Sequence, residues 1–148
     1  LIKSIVIGFD GSEASERALK MACEISEKFG AVLRLSHTPK DETVAYAAEA
    51  ISGFYVGPNA AHQDQLREAA ESVGARAKEL AAAAGQPDIE VHIGHSDPAE
   101  DVLVLAKKVQ ADLIVTGRRG LGNLRGLFMG STSQSISKNA ECAVLTVA

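Results

Sequence analysis

The sequence predicts an α/β fold: an open, doubly wound parallel sheet of five strands with helices on both faces. Three observations carry this reading. Short apolar runs alternate with helical patterns from one end of the 148 residues to the other. The runs at residues 5–7 and 113–115 are apolar at every position, as expected of strands covered on both faces. Between them, the glycines, prolines and capping residues fall where strand should give way to helix and helix to strand.

Ile5, Val6 and Ile7 read as the first, buried strand, ending in Gly8-Phe9-Asp10-Gly11-Ser12. Ala18, Ala22, Ile25 and Phe29 then form a helical stripe, with Ser12 as N-cap, Glu13 favourable in the first turn and Gly30 as the stop. Residues 31–35 read as the second strand, leading into Ser36-His37-Thr38-Pro39. Over residues 40–61 no period holds; residues 43–51 suit a short helix, whereas Gly53, Gly57 and Pro58 suit a loop. A longer helix follows from Leu66, Ala70, Val73, Ala77, Leu80 and Ala84, which recur at spacings of three and four until Gly85 and Pro87.

Ile89, Val91 and Ile93 alternate with Glu90 and His92, so the third strand should have one wetter face and lie near an edge. Asp97-Pro98-Ala99-Glu100 combines an acidic cap, a proline at the first helical position and a carboxylate spaced to reach back to the cap amide. That helix should run towards Val109. Residues 113–115 give the fourth strand, residues 131–138 a last helix, and residues 143–147 a closing strand. Five strands alternating with about four helices give a Rossmann-like arrangement, with right-handed crossovers covering both faces.

Size and composition narrow the function. The length suits one domain spanning residues 1–148, and 46% hydrophobic residues suit a packed core of Ala, Val, Leu and Ile. A net charge of -4 argues against a broad nucleic-acid surface, although Arg118, Arg119 and Arg125 gather near the glycines. Cys23 and Cys142 show no metal-site spacing and no disulfide framework, which favours a reducing compartment. Gly8, Asp10 and Glu13 interrupt the first apolar run too early for a membrane span or a signal core. A cytoplasmic protein with no membrane partner is therefore expected.

The most informative segment is Gly117-Arg118-Arg119-Gly120, nine residues, and then Gly130-Ser131-Thr132. If Gly130, Ser131 and Thr132 open a helix, their unpaired amides and the helix dipole attract phosphate oxygens, and the two hydroxyls add donors. The alternative at this level is a loop followed by an ordinary serine cap. It is not a Walker A loop, because no lysine precedes Ser131-Thr132, nor is it the Gly-x-Gly-x-x-Gly turn after a first strand. Asp10, just past the first strand, stands where crevice loops of open α/β sheets bind ligands; it can accept from a ribose or orient a metal-bound phosphate, or simply serve the turn. Thr38 holds the matching place after the second strand, as part of a base pocket or as a turn residue.

His37 reads as a packing or hydrogen-bonding residue near this pocket rather than a general base. His62 reads as exposed, and His92 and His95 lack the Cys, Asp or Glu neighbours of a metal site. Ser131 lacks a nucleophile elbow and a base, so no residue is assigned a catalytic role.

These residues also carry a resemblance. Residues 5–12, Leu35-Ser36-His37-Thr38, Gly94-His95-Ser96-Asp97-Pro98, residues 112–117, and the complete Gly-x2-Gly-x9-Gly-Ser/Thr pattern of Gly117, Gly120, Gly130 and Ser131 resemble the universal stress protein family, in its ATP-binding type. The similarity covers nearly the whole chain. It implies ATP above the strand ends, with Mg2+ accompanying it and AMP or ADP as alternative ligands. It further implies that Asp10 serves adenosine and ribose recognition and that Thr38 stands where an apolar residue often borders adenine. Thr116, Gly117 and Gly120 would lie beside the nucleotide, Gly130, Ser131 and Thr132 would form the phosphate cradle, and a homodimer would form through the C-terminal strand. The expected role is nucleotide-dependent regulation, coupled to loop order or protein interaction. A slow metal-dependent ATPase and a nucleotide-independent dimeric scaffold are the alternatives.

Overall fold

The structure is a computed structural model that describes residues 1–40, 63–120 and 129–148. The helix expected over residues 43–51, the loop signals at Gly53, Gly57 and Pro58, and His62, Gly122, Arg125 and Gly126 lie outside the described residues. Five strands, β1 (Ser4–Gly8), β2 (Val32–His37), β3 (Glu90–Ile93), β4 (Leu113–Gly117) and β5 (Ala143–Val147), form one sheet in the order β3-β2-β1-β4-β5. Every pairing is parallel. Four helices are described: α1 (Glu13–Phe29), α2 (Gln63–Ala83), α3 (Pro98–Lys108) and α4 (Ser131–Asn139).

The two faces of β1 show why its apolar run is continuous. Ile5 and Ile7 join Leu19, Ala22 and Cys23 of α1 and Val73, Ala77 and Ala81 of α2 in one core, with Leu33 and Leu35 of β2. Val6 points the other way, into a second core with Val102 and Leu105 of α3, Ile114 of β4 and Ile136 of α4. Alternation along a pleated strand thus sends neighbouring apolar residues to opposite cores. The two edge strands are less buried, and β3 takes the edge position that its polar alternation predicts.

The predicted caps are present. The Ser12 hydroxyl accepts from the Ser15 amide at 3.2 Å, and Gly30 ends α1 in the left-handed region at φ 65°, where its amide reaches the Ser26 carbonyl. Asp97 Oδ2 accepts from the Ala99 and Glu100 amides at 3.1 and 3.3 Å, with Pro98 as the first helical residue. Glu100 departs from the expectation: its carboxylate accepts from the Ser96 hydroxyl at 2.9 Å instead of reaching back to the cap amide. The turn before α3 brings that hydroxyl within reach, and a capping-box pattern in sequence cannot distinguish the two acceptances.

Burial alone would raise the Asp97 carboxyl, but the Glu100 amide, the Lys40 ammonium and the Ala99 amide outweigh it and hold it below its ordinary 3.8. A depressed carboxyl stabilises the fold above its unfolded pKa and loses that contribution as pH falls through the folded value. Asp97→Ala is therefore expected to cost about 1 kcal/mol at pH 7. Urea titrations of both proteins should show the difference shrinking as the pH is lowered below the ordinary value of 3.8. A difference independent of pH would rule out the charged cap.

Candidate functional site

The chain runs β1-β2-β3 outward to one edge, then returns to the centre and runs β4-β5 to the other. The direction of winding reverses between β1 and β4, which makes their carboxyl ends the switch point where open α/β sheets bind ligands. Of the residues singled out by sequence, Asp10, Gly117, Gly120 and Gly130 lie at this switch point, and Thr38 lies at the end of β2. Gly8 at the end of β1 is in register with Thr116 of β4, and Gly117 with Val147 of β5.

The first wall is the turn after β1. Gly11 has φ 88°, which an L side chain rarely adopts, so a glycine is needed to swing the chain into α1. Asp10 Oδ1 accepts from the Ser12 amide at 2.9 Å, a bond that closes the turn. The same carboxylate stands against the second wall: a Cβ placed on Gly120 would run into Asp10 Oδ2.

That second wall leaves β4 through Thr116, whose buried hydroxyl donates back to the Gly117 carbonyl at 3.3 Å. Gly117 passes against the first turn of α1, where a Cβ would lie 2.9 Å from the Ser15 nitrogen and 3.0 Å from the Ala14 carbonyl carbon. The Arg118 amide donates to Val147 of β5 at 2.6 Å, while its carbonyl accepts from the Gly130 amide and the Ser133 hydroxyl, both at 2.8 Å. Residue 118 and residue 130 are thereby pinned together, although eleven residues separate them in sequence. The Arg118 and Arg119 side chains are exposed.

Gly130 is the N-cap of α4 and supplies no side-chain cap. Ser131 is exposed and Thr132 half-buried in the first turn. The alternative of an ordinary serine cap is not formed by Ser131, which is already helical, and the first amides of α4 lack a side-chain acceptor from the cap. A Cβ on Gly130 would meet only ordinary contacts, at 3.6 Å from Arg118, Arg119 and Gly120. The fold itself requires glycine at 117 and 120 more than at 130. Glycine at 130 leaves backbone bare at a helix start, which suits a bulky anion approaching the amides.

Thr38 follows β2 and is buried, but its hydroxyl donates to Asp101 Oδ2 on α3 at 2.6 Å. The Ser96 amide donates to the same oxygen at 3.1 Å. A Cβ on Gly94 would collide with both Thr38 and Asp101, so the end of β3, the end of β2 and the start of α3 lock together around one carboxylate. Asp101 and Ser133 were not marked by the sequence, and Gly94 was marked only as part of a turn and of the family resemblance. The signal for Ser133 is its spacing, three residues after the glycine cap, where a serine hydroxyl can turn back to the preceding carbonyls.

His37, the last residue of β2, is 1% exposed and donates from Nδ1 to the Phe9 carbonyl at 2.8 Å. Burial lowers its pKa below the ordinary 6.5, against the opposing pull of the Phe9 carbonyl and the Asp10 charge. A neutral, buried ring fits the packing role expected of it. Among the described residues, no group of three or more His, Cys, Asp or Glu side chains could hold a metal ion, and no helix is long and apolar enough to cross a membrane.

The arrangement resembles those of known proteins. The sequence profile of the universal stress protein family matches residues 1–148. A universal stress protein of Thermus aquaticus is 34% identical over 148 residues, covering 99% of each chain. A universal stress protein solved in complex with cAMP superposes with a TM-score of 0.70 at 27% identity, covering 99% of this chain and 96% of the other. The universal stress protein from Archaeoglobus fulgidus solved with dAMP has the same fold, with a TM-score of 0.65 at 19% identity, covering 100% of this chain and 98% of the other.

Proposed function

The chain belongs to the universal stress protein family, and from that premise we propose that it is an ATP-binding regulatory protein of stress responses whose nucleotide occupies the crevice between β1 and β4. The observation that carries this reading is the convergence of Asp10, Gly120 and the uncapped start of α4 at the switch point. The family relative that binds cAMP supports an adenine nucleotide as the ligand class.

In this assignment the Asp10 carboxylate accepts from the ribose hydroxyls. Thr38 borders the base with its methyl group, since its hydroxyl is engaged by Asp101. Thr116, Gly117 and Gly120 line the strand-end side, where absent side chains let the nucleotide approach the backbone. The amides opening α4 at Gly130, Ser131 and Thr132 face the phosphates, with the Ser131 and Thr132 hydroxyls as further donors. Mg2+ suits such a site without a protein cage, because it keeps several waters and binds mainly through phosphate oxygens. When bound it would neutralise phosphate charge; the protein's own groups bind and orient.

Backbone amides, hydroxyls and one carboxylate already held by the Ser12 amide make a set of groups for holding a nucleotide rather than turning it over. Occupancy would bias the loop from Gly117 to Ser131, across which the Gly130 amide donates to the Arg118 carbonyl, and through it a surface read by other proteins. A second copy of the chain is the favoured partner. β5 lies at the sheet edge, where its outer backbone groups can pair with another strand. A cytoplasmic location agrees with this role.

Thermal unfolding with and without MgATP tests the proposal. A ligand that binds only the folded state should stabilise it by about 2.7 kcal/mol at a hundredfold excess over Kd. Saturable stabilisation matched by a saturable calorimetric heat is the expected result. Absence of both would refute nucleotide binding.

A further inference from the structure

We propose that His37 is a positioning residue of the nucleotide site: in its neutral Nδ1–H form it clamps the Phe9 carbonyl and so fixes the turn that presents Asp10. The inference rests on the reading of the crevice given above.

The clamp is two-sided. The Phe9 amide donates to the Ser36 carbonyl at 3.0 Å, which extends the β1–β2 ladder by one residue, and the Phe9 carbonyl accepts from His37 Nδ1 at 2.8 Å. Both polar groups of Phe9 are thus held by consecutive residues of β2, just before the chain turns at Asp10. Phe9 itself is 3% exposed and packed in the α1 and α2 core, so this peptide has bonds and packing to hold it. Beyond it, the Asp10 carboxylate accepts from the Ser12 amide at 2.9 Å, which closes the turn. The orientation of the carboxylate against Gly120 therefore begins from the peptide that His37 holds.

The protonation state follows from the partners. A carbonyl only accepts, so Nδ1 must carry the hydrogen. Nε2 is buried and has no hydrogen-bond partner among the described residues. A hydrogen there would be an unmet buried donor on a charged ring, which costs more than an unmet lone pair on a neutral one. The Nδ1–H form is the less populated neutral form of free histidine, so its presence is a signature of the clamp and not of burial alone.

The experiment reads the wild type first. Long-range proton–nitrogen spectra of 15N-labelled protein at pH 7 should show His37 neutral with the hydrogen on Nδ1; an Nε2–H ring or an imidazolium would overturn the proposal. Two substitutions then separate donor from bulk. In His37→Asn the side-chain amide nitrogen stands where Nδ1 stood and keeps the bond, whereas His37→Leu keeps apolar bulk and loses the donor. Loss of one such bond should weaken ATP binding by calorimetry about tenfold in the leucine protein, and speed exchange of the Ser12 amide about tenfold, with the asparagine protein within about threefold of wild type in both. Equal loss in both variants, or no change in the leucine protein, would overturn the proposal. If wild-type protein binds no ATP, the nucleotide reading fails, while the ring state and Ser12 exchange still decide whether His37 holds the turn. If binding is intact but the ring state or the exchange contradicts the clamp, His37 alone fails.

Discussion

Replacing Asp10 with alanine is expected to weaken ATP binding about 10- to 100-fold, because hydrogen bonds to a charged group contribute roughly 1.5–3 kcal/mol and each 1.4 kcal/mol is a tenfold change. The substitution also removes the acceptor of the Ser12 amide, so the first turn after β1 loosens together with the loss of the ligand contact. Gly120→Ala should reach part of the same effect without touching the carboxylate chemically. Its Cβ would clash with Asp10 Oδ2, and Oδ1 is tied to Ser12, so the carboxylate can yield only by giving up its orientation. Both changes act through one group, so their effects should not add. Once Asp10 is alanine, Gly120→Ala should cost little further affinity, which a double-mutant cycle measured by calorimetry resolves. Additive losses would place Gly120 and Asp10 in separate interactions.

Gly117→Ala is the substitution expected to harm stability most. Its Cβ would meet backbone, the Ser15 nitrogen at 2.9 Å and the Ala14 carbonyl carbon at 3.0 Å, not the end of a mobile side chain. Relief requires β4 or the start of α1 to move, yet Gly117 is paired with Val147 and α1 is capped by Ser12. Overpacking of this kind costs about 1–3 kcal/mol. For a chain of this size that is a fall in Tm of roughly 2–4 °C per kcal/mol. Gly130→Ala is the matched control: its Cβ has room at 3.6 Å from its neighbours, so the loss of stability should stay within the roughly 1 kcal/mol that alanine costs at an N-cap, while phosphate approach suffers. Urea unfolding of the two variants, with ATP titrations of each, separates a glycine required by the fold from one left bare for a ligand. Equal destabilisation of the two would contradict that distinction.

The residues that announced themselves in sequence did so through local chemistry. Gly30 stops α1 because only its own φ and the preceding turn are involved, and Asp97-Pro98 starts α3 through bonds to the next two amides. The apolar run of β1 revealed double coverage because each neighbour serves a different core. The polar alternation of β3 revealed an edge for the same reason in reverse. Asp10 and the glycines at 117, 120 and 130 were legible as a pattern, but the sequence could not rank them. Ranking requires knowing that Gly117 passes α1 and that Gly120 faces a carboxylate more than a hundred residues earlier.

What stayed hidden is held by contacts between distant segments. His37 reaches Phe9 across 28 positions and Thr38 reaches Asp101 across 63. No periodicity encodes such pairs; parallel strand register creates them. The sequence ended β2 near Leu35, whereas the strand continues to His37, because Ser36 and His37 gain partners in β3 that a local pattern cannot count. Ser133 is similar, since its hydroxyl matters only once residue 118 lies beside residue 130.

The most direct test of the account is to titrate 15N-labelled protein with ATP and map which backbone amides shift. The crevice assignment predicts saturable shifts at Asp10, Gly117, Gly120, Gly130, Ser131 and Thr132, weakened by Asp10→Ala. Saturable shifts confined to the β3 edge or to α2, with these six amides unmoved, would contradict it.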